Sequence, residues 1–497
     1  MSLAREVVSG FRWSAAARFA EHVVTLITTV VLVRLLSPEA FGLLGMAMLA
    51  IGLISVAGDL GFSAALIQRR NISRELASSL FWISGLVGGA FALLVYAAAP
   101  AVAAAYQEPK VAPILRVLSV LFALTGFGGV PTALLSREFA FARLTRVQLL
   151  AVTLGAATGI VMALNDRGVW SLVGQQLTRA ATETGGVLVA SRFRPVFRVR
   201  WAEVRSVASY SLNLSGSNIA GYIIQSIDNL LIGRFLGATA LGFYDIAWRL
   251  IQFPVTALSQ VVGRVLFPAL SSMQEDDARF GRAYLNVCSA IALLSFPMIL
   301  GAMLVAEPFV LAVLGKSWAQ TALLLVLLGP VGLAQSIGST TGNVYMAKAR
   351  TGWLLLWSVA VGIVTTVAMW VGLAWGLVGV AVARLLVNTV LSPLNFHVAL
   401  KLIGLRLKDL GRALGRIAAA SLVMVAALAA FRGLLDVLDV GAPAVVLAFG
   451  IPLGIATYAW ALFRYRPAVL REILETLAMA DVSWARSRLH RARLAEK

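Results

Sequence analysis

The chain has one cysteine and three histidines in 497 residues. A single thiol, Cys288, rules out an intrachain disulfide and argues against a thiolate metal site. The histidines form no HExxH-type pair, which speaks against a zinc centre. Charge is scarce as well: 13% of residues are charged and 60% hydrophobic, with mean hydropathy +0.87. No soluble domain has that balance; the chain reads as a polytopic helical membrane protein. The alternation of an outer-membrane barrel is missing, and the apolar runs are too long for one.

Acids are fewer than bases, 23 against 42, giving a net charge of +19. The placement of the bases excludes a nucleic-acid partner. Arginines cluster in alternate loops, at Arg69, Arg70 and Arg74, at Arg137, Arg143 and Arg146, and from Arg192 to Arg205. The opposite loops are short and hold scattered cations such as Arg34, Lys110 and Arg234. By the positive-inside rule the basic side is cytoplasmic, with both termini there. No large external domain is expected. The N-terminal run lacks a small-residue cleavage site and reads as a retained first span.

The expected fold is all-α, with about 14 transmembrane helices from 11–36 to 443–463. The chain also repeats itself. Arg34-Leu35-Leu36 through Phe41-Gly42-Leu43 matches Arg234-Phe235-Leu236 through Leu241-Gly242-Phe243 at an offset of 200. Trp170 through Gly174, then Arg179, matches Trp375 through Gly379, then Arg384, at an offset of 205. Ala99-Pro100, read as the end of the third span, and Glu307-Pro308, read as the end of the ninth, match at 208. The expectation is two parallel six-helix lobes, 1–203 and 204–400, plus two extra C-terminal helices in 401–465. Residues 466–497 read as a cytoplasmic amphipathic, basic tail that meets membrane lipids.

Polar residues run down one face of certain spans. In the seventh they include Asn218, Tyr222, Asp228 and Asn229; in the eighth, Asp245, Arg249, Gln252 and Arg264. The first span carries Arg18, Glu21 and His22, the second Asp59, the sixth Arg179 and Glu183, and the twelfth Arg384 and Asn388. A charge facing lipid costs several kcal/mol, so these faces should line protein or a wet cleft. Arg179 lies about nine residues, roughly 13 Å, from the outer end of its span, near the midplane. Arg384 matches it, and Arg249 and Arg18 lie at similar depths. Four guanidinium groups can therefore ring one cavity and grip an anionic head group; internal salt bridges are the alternative use. Asp228 and Asp245 are read either as partners of Arg249 or as ion-coupling groups. His22 is read as a proton site or as a packing contact.

Gly10-Phe11-Arg12-Trp13, Arg34-Leu35-Leu36-Ser37-Pro38-Glu39-Ala40-Phe41-Gly42 and Gly58-Asp59-Leu60-Gly61 together resemble the bacterial polysaccharide transporter family. Its members are Wzx-like flippases of the multidrug/oligosaccharidyl-lipid/polysaccharide superfamily. The layout extends the likeness over the whole chain. The resemblance implies translocation of an undecaprenyl-pyrophosphate-linked oligosaccharide across the bacterial inner membrane by alternating access. It implies pyrophosphate binding at Arg18, Arg179, Arg249 and Arg384, no cofactor, and no bond-making chemistry. Coupling to H+ or Na+ and contact with polysaccharide-assembly proteins of the same membrane stay open. A cation-coupled multidrug exporter of the same fold is the alternative; its cavity should be net acidic. A membrane glycan polymerase would need sizeable outer loops, which are lacking.

Overall fold

A computed structural model describes residues 20–58, 66, 73–197, 222, 226–256, 273, 276–439, 441–467 and 470. Among them every regular element is helical and no strand occurs. Ten segments of the described residues are long and apolar enough to cross a membrane. One of these, Gly352–Lys401, holds two helices, Thr351–Gly372 and Gly376–Lys401, separated by a tight turn and by Gly376 at φ +67°. Val169–Ser191 is also helical, though Gln175, Gln176, Arg179 and Glu183 reduce its hydropathy and it is not among the ten. The expected count of fourteen draws partly on residues outside those described, including much of the first and seventh spans.

The chain divides into two compact units. One comprises Met1–Asp245, Val313–Ser317 and Met369–Leu377; the other comprises Ile246–Ala312, Trp318–Ala368 and Val378–Lys497.

In the first unit a helix over 20–35 turns at Leu36 and Ser37 into Pro38–Gly58. Proline at the first helical position costs no hydrogen bond and starts the second helix cleanly. The matching turn lies at Gly237, whose φ of +85° interrupts the helical run 226–256. Helices Phe141–Leu164 and Val169–Ser191 form a tight hairpin. A Cβ on Gly155 would stand 2.9 Å from the Gln175 carbonyl oxygen and 3.1 Å from the Arg179 Cβ. Such close approach of backbones suits a bilayer, where helices associate by packing rather than by expelling water. It also fixes where Arg179 starts. The helix Arg74–Tyr106 runs straight through Pro100, where the sequence suggested an end.

The second unit is centred on buried Phe280, Tyr284, Cys288, Ile337, Leu400 and Ile417. Cys288 is fully buried, and burial suits its use as a small apolar residue. Thr340 donates to the Tyr284 hydroxyl at 3.1 Å, and Ser295 to Ser336 at 3.1 Å, so these buried hydroxyls are paired. Pro297, Pro330 and Pro393 all lie inside continuous helices. The last two helices, Leu407–Val437 and Pro443–Tyr465, are tied to the unit by polar contacts. Tyr458 donates to the Leu293 carbonyl at 2.7 Å, and Arg432 donates to the Leu304 carbonyl at 3.1 Å.

Candidate functional site

The sixth expected span delivers the central charge of the first unit. Arg179 sits mid-helix in Val169–Ser191, and its Nη2 donates to Oε1 of Glu21 at 3.0 Å. The two residues are 158 apart in sequence, so helix 20–35 and the hairpin are brought together here. The Arg179 side chain stays 41% exposed and that of Glu21 20%. A dry internal pair would be sealed; this one is open on one side. Open exposure to lipid would be costly for guanidinium, so the open side suits water or an anionic ligand. Glu183 lies one turn further along and is half-buried, as is His22 beside Glu21.

Asp228 is 2% exposed. Its Oδ2 accepts the Tyr244 hydroxyl at 3.1 Å, and its Oδ1 accepts the Asn229 backbone N–H at 3.0 Å. Asp245, next to Tyr244, is also buried. Burying a carboxylate is tolerable only with donors of this kind. Tyr222, on the same stripe, donates from its hydroxyl to the Leu49 carbonyl at 3.3 Å.

In the second unit the Arg384 guanidinium carbon lies 4.3 Å from the centre of the Trp248 ring, a cation–π distance. Arg249 is exposed, and Asn388 accepts the Ser392 hydroxyl at 3.1 Å. Gln252 donates to Gln335 at 3.0 Å, which joins the helical run 226–256 to the helix Ala319–Gly338. Arg18, Asp59 and Asn218 lie outside the described residues, as do Arg264 and the tail beyond Leu470. Tyr244, Trp248 and Gln335 were missed as functional neighbours, because each stands in an apolar run and looks like filler. Among the described residues no group of three or more His, Cys, Asp or Glu side chains could hold a metal.

The repeat-related turns meet each other. A Cβ on Gly42 would collide with the Ala238 carbonyl, and one on Gly242 with the Pro38 carbonyl. Lys110 reaches Glu39 at 2.6 Å at the same end of the unit. The hydrogen bond and charge of Glu39 push the pKa of the exposed Lys110 ammonium up.

Comparison with known proteins agrees with this architecture. The chain is 28% identical to the lipopolysaccharide biosynthesis protein WzxC of Escherichia coli over 404 residues, 81% of this chain and 82% of that one. It is 28% identical to the succinoglycan biosynthesis transport protein ExoT of Rhizobium meliloti, over 73% of each chain. The fold is similar to the lipid II flippase MurJ in an inward closed conformation. There the TM-score is 0.70 at 16% identity, over 92% of this chain and 99% of MurJ. Residues 31–323, more than half of the chain, match the family described as polysaccharide biosynthesis protein, and the chain belongs to that family.

Proposed function

We propose that the chain is a flippase. It carries an undecaprenyl-pyrophosphate-linked oligosaccharide from the cytoplasmic to the periplasmic leaflet of the bacterial inner membrane, for export of a surface or exopolysaccharide. The observation that carries this reading is Arg179: a mid-span guanidinium, held in place by Glu21 and still 41% exposed. A permanently charged planar fork in that position suits pyrophosphate oxygens. Arg384 is oriented differently, by a cation–π contact with the Trp248 ring, and Arg18 and Arg249 complete the proposed set. Family membership and the transport names of the relatives support the same cargo class.

The chain works by alternating access and breaks no bond of its cargo. The head group crosses through the wet cleft while the lipid tail stays in the bilayer. Orientation follows the arginine-rich loops, with both termini cytoplasmic. No cofactor is needed; membrane potential or coupling to H+ or Na+ through buried carboxylates such as Asp228 and Asp245 supplies the drive. Polysaccharide-assembly proteins of the same membrane are the expected neighbours.

The test is reconstitution into liposomes with a fluorescent lipid-linked oligosaccharide, scoring its exposure to a membrane-impermeant probe. Wild type should expose cargo with time, and Arg179→Ala with Arg384→Ala should slow exposure by about tenfold or more. Equal rates in that double variant would remove the arginine assignment. No exposure by wild type above protein-free liposomes would remove the flippase.

A further inference from the structure

Arg74 and Arg137 converge on a crevice of about 410 Å³ in the first unit, far from Arg179. Ser73, Leu134, Glu138 and Phe193 complete its wall. Arg74 opens the helix Arg74–Tyr106 and Arg137 closes the helix Val120–Arg137, so the crevice lies at the helix ends that bear the arginine-rich segments. Arg179 is twelve residues up its own helix from Ser191 at this end, which puts it roughly 18 Å away along the axis. The crevice is thus separate from the cleft assigned to cargo.

Both guanidinium groups are anchored by main-chain oxygen. Nε and Nη2 of Arg74 donate to the Arg194 carbonyl at 3.3 and 3.0 Å, and Nη1 of Arg137 donates to the Leu66 carbonyl at 3.1 Å. The Arg194 carbonyl fixes the plane of the Arg74 guanidinium without cancelling its charge, and a guanidinium has five donors to distribute. The carboxylate in the wall, Glu138, stands 3.8 Å from Arg143, so its charge is shared outside the crevice. The floor is apolar and firm. Leu134 and Phe193 pack on the cluster of Leu76, Leu80, Phe81 and Val130, with the Phe193 ring centred 5.8 Å from that of Phe81. The Ser73 hydroxyl caps its own helix by accepting the Leu76 N–H at 3.0 Å, so the positive character comes from the arginines and not from an open helix end.

A free anion needs no apolar floor, and an acyl chain alone needs no fixed guanidinium pair. A phosphodiester on a glycerol backbone matches both at once, and a crevice at the ends of membrane helices is where such a group sits. We propose that this crevice is a binding site for the phosphate of an anionic phospholipid, in the leaflet that faces the arginine-rich loops. The lipid ties together three pieces of chain: the start of Arg74–Tyr106, the end of Val120–Arg137, and the segment 193–197 after the hairpin. Val196 already donates to the Ser78 hydroxyl at 2.9 Å, so that segment lies along the same helix.

The experiment uses the full chain, purified in neutral detergent and stripped of lipid. It is titrated with fluorescent-tailed phosphatidylglycerol and with phosphatidylcholine bearing the same tails. Phosphatidylglycerol should bind saturably and about tenfold or more tighter than phosphatidylcholine. R74Q with R137Q should weaken it by about tenfold or more, while Arg179→Ala should leave it unchanged. Leu134→Trp fills the floor and keeps both charges; it should weaken binding too, and it decides the matter if the arginine variant does not fold. Equal binding of the two lipids, or undiminished phosphatidylglycerol binding in a folded R74Q/R137Q chain or in Leu134→Trp, would overturn the site. Full displacement of the lipid by millimolar inorganic phosphate or pyrophosphate would instead identify a free-anion site and overturn the lipid assignment.

Discussion

Gly42 and Gly242 stand in equivalent places of the internal repeat and make reciprocal contacts: each presses its Cα face against a carbonyl oxygen of the other turn, that of Ala238 and that of Pro38. Neither position has room for a methyl group. Leucine at either one must push the two turns apart. Overpacking of this kind typically costs about 1–3 kcal/mol. Gly42→Leu and Gly242→Leu are each expected to lower the unfolding temperature in detergent. They should also open this end of the unit to water. An Ala40→Cys reporter, at a position only 5% exposed, read with an impermeant maleimide, should label several-fold faster in either leucine variant. The fully buried Cys288 gives no background there. Equal labelling would show that the turns do not close this end.

The pair of Glu21 and Arg179 separates a structural use from a cargo use. With the arginine side chain 41% exposed, the ion pair itself is worth about 1 kcal/mol or less after solvent screening. Glu21→Ala should therefore melt within a few degrees of wild type. Arg179→Ala should melt similarly, yet slow cargo flipping in liposomes by about tenfold or more. Arg179→Lys keeps the charge but not the two-pronged geometry, and should fall between them. If both alanine variants flip at the wild-type rate, Arg179 is a packing residue.

Periodicity made the helical fold legible, because a polar residue in a bilayer span has to face something other than lipid. It placed Glu21 and Arg179 on inward faces, and the structure joins them. Cys288 stands in an apolar run, and the structure buries it. Spacing says nothing about partners from other helices, so Tyr244 beside Asp228 and Trp248 under Arg384 read as apolar filler. Pro100 misled for another reason. It was read as a stop, yet a membrane helix can keep going past proline when neighbours satisfy the freed carbonyl. The motif around Gly42 was visible twice in the chain, but its use in a reciprocal contact depends on backbone proximity that no single sequence displays.

Tyr244 holds a buried carboxylate, and removing its hydroxyl leaves Asp228 short of a donor. The cost of an under-satisfied buried group is about 1–3 kcal/mol. Tyr244→Phe should lower the unfolding temperature clearly, by thermal denaturation followed with intrinsic fluorescence. Combining it with Asp228→Asn, which lightens the demand for donors, should recover part of the loss. Strict additivity of the two changes would show that the contact is not an energetic unit.

Arg432 fastens the helix Leu407–Val437 to the rest of the second unit through two unlike bonds. Nη1 donates to the Leu304 carbonyl at 3.1 Å, at the end of helix Asp277–Leu304, and Nη2 meets Glu307 at 2.6 Å. A cation at a helix C-terminus is favoured by the dipole and answers a carbonyl that has no partner within the helix. The carboxylate partner is 61% exposed and adds little, about 1 kcal/mol or less. Glu307→Ala should therefore be mild, whereas Arg432→Ala should cost about 1–3 kcal/mol because it strips the carbonyl as well. Arg432→Lys should resemble Arg432→Ala more than wild type, since one ammonium does not reach both acceptors with the geometry of a planar fork. Limited proteolysis in detergent gives an independent readout: cleavage in the turn before Pro443 should rise in Arg432→Ala and stay low in Glu307→Ala. Equal behaviour of the two alanine variants would place the fastening in the ion pair instead of the helix end.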